Sequence, residues 1–211
     1  MIPSTNALVT ESSTPTVVPS ETRSTTTETT AADDSYEALI AAAPHGRLAD
    51  FRQGSTSATS ERLQNLSGIH FSTPDRSIRC STGNSGADAL VCVSALADTP
   101  STPPQDAPAD CTWATDMVTL NSTGYSAGAC ADRYPVLHRS QILEYGRSLT
   151  VGRYSCLSEV EGLFCLVTDA EEGFALTRDG VEKISAGEPA PARLRGVPEN
   201  DSATSTTAPS N

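Results

Sequence analysis

The sequence predicts a mainly β fold: a small antiparallel sheet held by disulfides, arranged as a sandwich or a partly open barrel, with one short N-terminal helix and disordered tails. Three observations support this fold class. Short runs that alternate apolar and polar residues, separated by Gly, Asp, Asn and Pro, extend from Gly68 to Ile184. Six cysteines lie within these runs. Ser- and Thr-rich segments without hydrophobic periodicity flank the runs on both sides.

The composition limits both the size of the core and the class of partner. Of the 211 residues, 37% are hydrophobic and 5% are aromatic, which suits one domain with polar tails better than a large enzyme core. The 14 Lys and Arg against 26 Asp and Glu give a formal charge of −12. Because binding to nucleic-acid phosphates requires clustered basic residues, we expect no nucleic-acid partner.

The chain divides into four segments by composition. Residues 1–34 are a Ser/Thr-rich linker, and residues 35–66 contain a short helix and a connecting segment. Residues 67–185 form the disulfide-linked β domain, and residues 186–211 are a tail rich in Pro, Ser and Thr. The first and last segments have too little apolar surface to offset the conformational entropy that ordering would cost, so we expect both to be disordered.

A short helix is predicted over about residues 35–43. Asp34 and Glu37 are three positions apart, which is the spacing of a capping box, and Pro44 ends the segment. Apolar residues follow the start at helical spacing, namely Tyr36, Leu39, Ile40 and Ala43. A helix this short is stable only when it packs against another part of the protein.

Several short runs in the β region read as strands. The alternating runs are residues 77–80, 90–93, 117–120 and 153–157. Residues 163–167 are apolar throughout, so we expect a central strand that is covered on both faces. Residues 174–176 and 181–184 flank Asp179-Gly180, a dipeptide typical of a two-residue hairpin turn.

The even number of cysteines in a domain with few aromatic residues predicts a disulfide framework. Six cysteines allow fifteen pairings. The first two bracket a loop that contains Gly83 and Asn84, and the last two bracket a loop that ends in Gly162, as the two strands of a hairpin would. The middle two then pair by elimination. We therefore predict three sequential disulfides: Cys80–Cys92, Cys111–Cys130 and Cys156–Cys165.

The cysteine spacing argues against a metal or redox role. Zinc ligands are usually separated by two to four residues, whereas the nearest two cysteines, Cys156 and Cys165, are nine positions apart. The chain also lacks the C-x-x-C motif of redox-active pairs. We therefore expect no metal and no cofactor.

Disulfides also predict the compartment, because they persist in oxidising surroundings. We expect an extracytoplasmic protein, secreted or associated with the cell envelope. The longest apolar run, residues 38–43, is too short for a membrane span or a secretion signal. An upstream apolar segment, with or without a lipid-acceptor cysteine, would export the chain and tether it to the membrane, which would leave the first 34 residues as a stalk.

Two parts of the β region are similar to each other. Residues 71–93 and residues 154–167 each contain a strand with a cysteine, a turn with Gly, and a second strand in which a cysteine lies between apolar residues. Duplication of a disulfide-linked hairpin would give this pattern, and so would convergence of two hairpins on the same chemistry.

Several short motifs follow one another over about residues 68–184. They are Phe71-Ser72-Thr73-Pro74 with Ile78-Arg79-Cys80, Leu143-Glu144-Tyr145-Gly146, Cys156-Leu157-Ser158, Gly162-Leu163-Phe164-Cys165, and Gly173-Phe174-Ala175-Leu176-Thr177-Arg178. Their order and spacing resemble a family of small exported or lipid-anchored actinobacterial proteins of unknown function. The chain departs from the family's Gly-Asn and Gly-His at Arg76-Ser77 and Glu171-Glu172. The resemblance implies export or lipid anchoring, a compact domain and no established activity.

The sequence offers one weak candidate for catalysis. Among the three histidines, His138 lies near Asp132 and Ser140 in the sequence, which leaves a Ser-His-Asp arrangement open. No G-x-S-x-G elbow or other flanking signature accompanies it. A small secreted hydrolase that uses His138 is therefore an alternative function.

The leading candidates for binding are aromatic. The candidate residues are Trp113, Tyr125, Tyr134 and Tyr145. An aromatic side chain that faces solvent can anchor a partner or a sugar ring, although Trp113 lies near Cys111 and can instead pack over a disulfide. We predict a non-catalytic binding module for an envelope component or another protein, with a structural envelope spacer as a further alternative.

Overall fold

The computed structural model describes four stretches of the chain: residues 34–83, 88–97, 99–168 and 170–196. The predicted disorder of the first 33 and the last 15 residues lies outside these stretches. Within them, no helix is long and apolar enough to cross a membrane.

The described residues form one α-helix, one 3-10 helix and eleven strands in two sheets. The helix α1 is Tyr36–Ala42, and the 3-10 helix is Leu48–Phe51. The strands β1 to β11 are His70–Ser72, Ile78–Thr82, Ala89–Ser94, Trp113–Asn121, Gly124–Cys130, Gln141–Ile142, Arg147–Val151, Tyr154–Glu159, Gly162–Val167, Glu172–Thr177 and Gly180–Ser185. The six-stranded sheet has the order β5-β4-β3-β2-β1-β6, and the five-stranded sheet has the order β11-β10-β9-β8-β7.

Each sheet is built on a five-strand antiparallel meander. Strands β1 to β5 pair in chain order in the six-stranded sheet, which we call the first meander. Strands β7 to β11 do the same in the five-stranded sheet, the second meander. Strand β6 extends the first meander by pairing with β1 in parallel. The predicted mainly β fold is confirmed.

The main core lies between the two sheets, which pack face to face as a sandwich. Phe71, Leu90 and Leu120 of the six-stranded sheet belong to one buried cluster with Leu163 and Phe174 of the five-stranded sheet. The alternation of side chains along each strand places every second residue in this layer. Of the two predicted arrangements, the sandwich is the observed one.

Strand β9 is the predicted central strand, and it lies in the middle of the five-stranded sheet. Leu163 and Val167 face the main core, whereas Phe164 and Leu166 face the opposite side. There Tyr36 of α1 stacks on Phe164 with 5.7 Å between the ring centroids. Both faces of β9 are therefore buried, which explains why its sequence is apolar throughout.

The helix begins one residue later than the capping-box spacing predicts. Ser35 is the N-cap, and its side-chain oxygen accepts a hydrogen bond from the backbone N–H of Ala38. Asp34 instead accepts a hydrogen bond from Nη1 of Arg195 at 2.6 Å. The side chain of Asp34 thus fixes the segment around Arg195 rather than the start of the helix.

The structure contains the three predicted disulfides. Cys80–Cys92 and Cys156–Cys165 each join residues that are directly opposite on neighbouring strands, with Cα atoms 4.1 Å apart. Cys111–Cys130 joins the segment before β4 to the end of β5. Each bridge removes roughly 3 kcal/mol of unfolded-state entropy in the chain-entropy description.

The packed part of the chain extends past the predicted domain end at residue 185. Ala186 and Ala190 are buried against α1, and the backbone N–H of Ala190 donates to the carbonyl of Asp34. We call residues 186–196, which lie against the helix, the strap.

Candidate anion-binding site

A cleft of about 330 Å³ lies beside β6, and we call it the arginine cleft. Its lining residues are Arg62, Arg76, Arg139, Ser140, Gln141 and Ile142. Half of them are arginines and none is acidic, although the whole chain carries a formal charge of −12. The cleft is therefore a local concentration of positive charge on an acidic protein.

Three separate segments bring these residues together. Residues Gln141 and Ile142 of β6 pair with Phe71 and Ser72 of β1, and this pairing places them beside the turn that carries Arg76 between β1 and β2. The backbone of Thr73 and Ile78 closes that turn with a hydrogen bond of 3.1 Å. The cleft thus depends on the one parallel strand pair of the described sheets.

The segment that carries Arg62 is fixed by backbone bridges. Gly54 and Leu63 exchange two hydrogen bonds of 3.1 and 2.7 Å, and Ser55 and His138 exchange two of 2.7 and 2.8 Å. The buried Ser55 therefore ties this segment to the residues that precede β6. Arg62 directly precedes the bridged Leu63, so hydrogen bonds fix the backbone beside this arginine.

Hydrogen bonds orient the polar side chains of the cleft. Oε1 of Gln141 accepts from Nε2 of Gln53 at 2.8 Å and from Nη2 of Arg62 at 3.4 Å. Nη1 of Arg139 donates to the carbonyl of Ser60 at 2.8 Å. The oxygen of Gln141 is thus occupied, which leaves its amide nitrogen as the group that can face a ligand.

Two buried polar atoms of the cleft have no hydrogen-bond partner in the described residues. They are Nε of Arg62 and Oγ of Ser140, and the Ser140 residue is only 4% exposed. Leaving a buried donor or acceptor unsatisfied costs about 1–3 kcal/mol. Both atoms have almost no exposed surface, so a ligand oxygen would accept from them, and remove this cost, only after a small shift of the Arg62 or Ser140 side chain.

None of the three arginines of the cleft forms an ion pair within the described stretches. Four other arginines do, namely Arg47, Arg133, Arg153 and Arg195; Arg133, for example, pairs with Asp110 at 2.9 Å. Asp75 lies next to Arg76 in the sequence, but its carboxylate accepts from the Thr73 hydroxyl and the Ser77 N–H. Burial alone would raise the pKa of Asp75. The hydrogen bonds to its carboxylate outweigh burial, so the pKa is lowered overall.

The backbone is unusual at two of the three arginines. Arg76 has φ 60° and Arg139 has φ 49°, both in the left-handed region that favours glycine. Such conformations cost about 1–3 kcal/mol each and persist where the surroundings enforce them. Each arginine is followed by a residue that the fold fixes: Ser140 is buried, and Ser77 donates to Asp75.

The predicted hydrolytic residues do not form a triad in the structure. Nδ1 of His138 lies 2.8 Å from Nη1 of Arg79, and because a guanidinium only donates, Nδ1 must accept. The neutral ring then carries its proton on Nε2. Partial burial, followed by the charge of Arg79, lowers the pKa of His138. Asp132 accepts instead from the N–H of Thr112.

The four candidate aromatic residues lie in different environments. Trp113 is half-buried over Gly128, and Tyr125 is half-buried with its ring centroid 6.4 Å from that of Phe174. Tyr134 is half-buried against the outer face of the first meander. Only Tyr145, at 36%, is exposed. The arginine cleft, in contrast, contains none of the residues that the sequence suggested for binding.

No protein-family model, curated protein or solved structure matches this chain. The resemblance to exported actinobacterial proteins therefore stays a prediction. The function has to be argued from the cleft and from the disulfide-linked fold.

Proposed function

We propose that this chain is a non-catalytic binding domain that holds an oxyanionic group of an envelope component in the arginine cleft. The three disulfides indicate an extracytoplasmic β domain. Association with the envelope, by secretion or through an upstream lipid-anchored segment, is part of the proposal.

One observation carries the proposal: within the described residues, none of the three arginines of the cleft forms an ion pair, and Nε of Arg62 and Oγ of Ser140 are buried without a hydrogen-bond partner. Guanidinium groups bind carboxylate and phosphate oxygens with two parallel hydrogen bonds, which gives both strength and orientation. A volume of about 330 Å³ is at the lower end for small-molecule sites, so it suits a single charged group with one ring attached.

The surroundings of His138 favour binding over hydrolysis. A serine hydrolase needs a histidine whose Nε2 accepts the serine proton while Nδ1–H donates to a carboxylate. Here Nδ1 accepts from Arg79, so the neutral ring has no free lone pair for a base. A purely structural spacer would bind no anion, so ligand binding separates that alternative from the proposal.

Titration with inorganic phosphate and with acetate, followed by NMR chemical shifts, tests the proposal. We expect saturable shifts at Ser140, Gln141 and Arg62. The Arg62→Gln variant should weaken binding by about tenfold or more, because it removes a charge-assisted hydrogen bond from a partly buried site.

Arg133→Gln is the matched control. This side chain is also half-exposed, but it is already paired with Asp110, so its loss should leave anion binding unchanged. If both variants bind phosphate and acetate as the unmodified chain does, or if the unmodified chain binds neither, the arginine cleft is not an anion site.

A further inference from the structure

A second cleft lies on the other side of the turn between β1 and β2. Its volume is about 400 Å³. Arg76 of this turn lines the arginine cleft, whereas the preceding Asp75 lines the second cleft together with Thr73 and Ser77. The two clefts are therefore neighbours, separated by one turn of the chain.

The second cleft combines exposed apolar surface with carboxylates. Tyr145 is 36% exposed and Val160 is 61% exposed, and both line the cleft. Glu159 and Glu161 line it as well. Burial, followed by the charge of Glu161, raises the pKa of Glu159. The cleft thus offers a ring surface beside acceptors for hydroxyl or amine groups.

The ring of Tyr145 is carried by a tight turn rather than by a free loop. The N–H of Arg147 donates to the carbonyl of Glu144, and the N–H of Gly146 donates to the carbonyl of Ser158 on β8. A ring on such a fixed backbone loses little conformational entropy when it packs on a ligand.

We infer that the ligand is a saccharide with a single oxyanionic group: the charged group lies in the arginine cleft, and the adjoining neutral or amino sugar ring packs on Tyr145. This inference rests on the proposed function. The C–H face of a sugar ring packs on an aromatic ring, and its hydroxyls donate to carboxylates. A second anionic group would meet Asp75, Glu159 and Glu161, which outnumber Arg178, the one basic residue of this lining, so the second cleft selects against a polyanion.

The test compares the affinities of acetate, glucuronate and a disaccharide of one glucuronate and one neutral glucose. We expect the disaccharide to bind about tenfold more tightly than glucuronate, because only the disaccharide reaches Tyr145. Tyr145→Ala should remove this gain and leave the glucuronate affinity unchanged. Tyr145→Phe should retain the gain, since the ring face is kept.

A disaccharide of two glucuronates tests the charge selection. It should bind less tightly than the disaccharide with one charge, and Glu161→Gln should reduce that difference. Leu48→Ala, which removes an exposed apolar side chain elsewhere on the 3-10 helix, is the control and should change none of these affinities.

The outcomes separate the inference from the proposed function. If acetate and glucuronate bind through Arg62 but the neutral ring adds no affinity, or if Tyr145→Ala leaves the gain intact, the saccharide inference is wrong and the anion site stands. Preference for the doubly charged disaccharide would also overturn the inference. If acetate, phosphate and glucuronate all fail to bind, both proposals fail.

Discussion

The two meanders can be compared strand by strand, because a disulfide joins the second and third strands of each. Around these bridges, directly opposed residues form a row across each sheet. The row in the first meander is Phe71, Cys80, Cys92 and Val118. The row in the second meander is Leu149, Cys156, Cys165 and Phe174. All eight side chains belong to the core between the sheets. The two similar hairpins noted in the sequence therefore occupy equivalent positions in the two meanders.

The meanders differ in what is added to them. In the second meander, β7 and β8 are joined by the two residues Gly152 and Arg153. In the first, the equivalent connection is the five-residue turn 73–77, which carries Asp75 and Arg76. Strand β6 and the segment with Arg62 are also additions to the first meander. The shared hairpin provides the scaffold. The arginine cleft lies where the first meander departs from the second, whereas the second cleft is lined by the turn 73–77 together with the β8–β9 turn of the second meander.

The outer faces provide the largest test of this comparison. Phe164 precedes Cys165 and stacks on Tyr36 of α1, whereas Val91 precedes Cys92 and packs in a smaller cluster. Phe164→Ala should lower the free energy of unfolding by about 3–5 kcal/mol, and Val91→Ala by about 2 kcal/mol. Chemical denaturation with the disulfides intact measures both. Equal losses would mean that the cover of helix and strap adds no stability to the second meander.

Removal of the equivalent disulfides sharpens the comparison. The double variants Cys80→Ala/Cys92→Ala and Cys156→Ala/Cys165→Ala should each lose about 2–5 kcal/mol, and the two losses should agree within about 1 kcal/mol. The sequence separations of 12 and 9 differ little in loop-closure entropy. Denaturation of each variant gives the values. If one variant folds and the other does not, the two hairpins are not equivalent in the folded protein.

The sequence predicted the parts of the fold that depend on neighbouring residues. The runs around Cys92 and Cys165 combine apolar side chains with a cysteine, and this local pattern is enough to identify a buried strand. Residues 186–196 have no such pattern. Ala190 is buried only because α1 packs beside it, and that contact is tertiary.

The arginine cleft could not be predicted for a related reason. Arg62, Arg76 and Arg139 are far apart in the sequence, and none belongs to a periodic or charged run. They meet because β6 pairs with β1, and a strand of two residues gives almost no sequence signal. Tyr145, in contrast, could be singled out because aromatic residues are scarce in this chain.

The smallest expected effect is on the pH dependence of stability, and it comes from one residue that differs between the meanders. His70 on β1 occupies the position that Ser148 occupies on β7, and both are buried. Nδ1 of His70 contacts the Ser81 hydroxyl, and Nε2 donates to the carbonyl of Ser67. Burial lowers the pKa of His70, and the hydrogen bond to Ser67 opposes this only in part.

Because the folded pKa of His70 lies below the unfolded value of about 6.5, the unfolded chain binds this proton more readily. The stability that the neutral ring contributes is complete above about pH 6.5, and it is lost as the pH falls from there towards the lower pKa of the folded state. Unfolding free energies measured between about pH 7 and pH 5 should therefore fall less in His70→Asn than in the unmodified chain. His138, whose pKa is also lowered, and Glu159, whose pKa is raised, are present in both proteins, so the difference between the two profiles reports His70 alone. Parallel profiles would show that this buried histidine does not distinguish the first meander from the second.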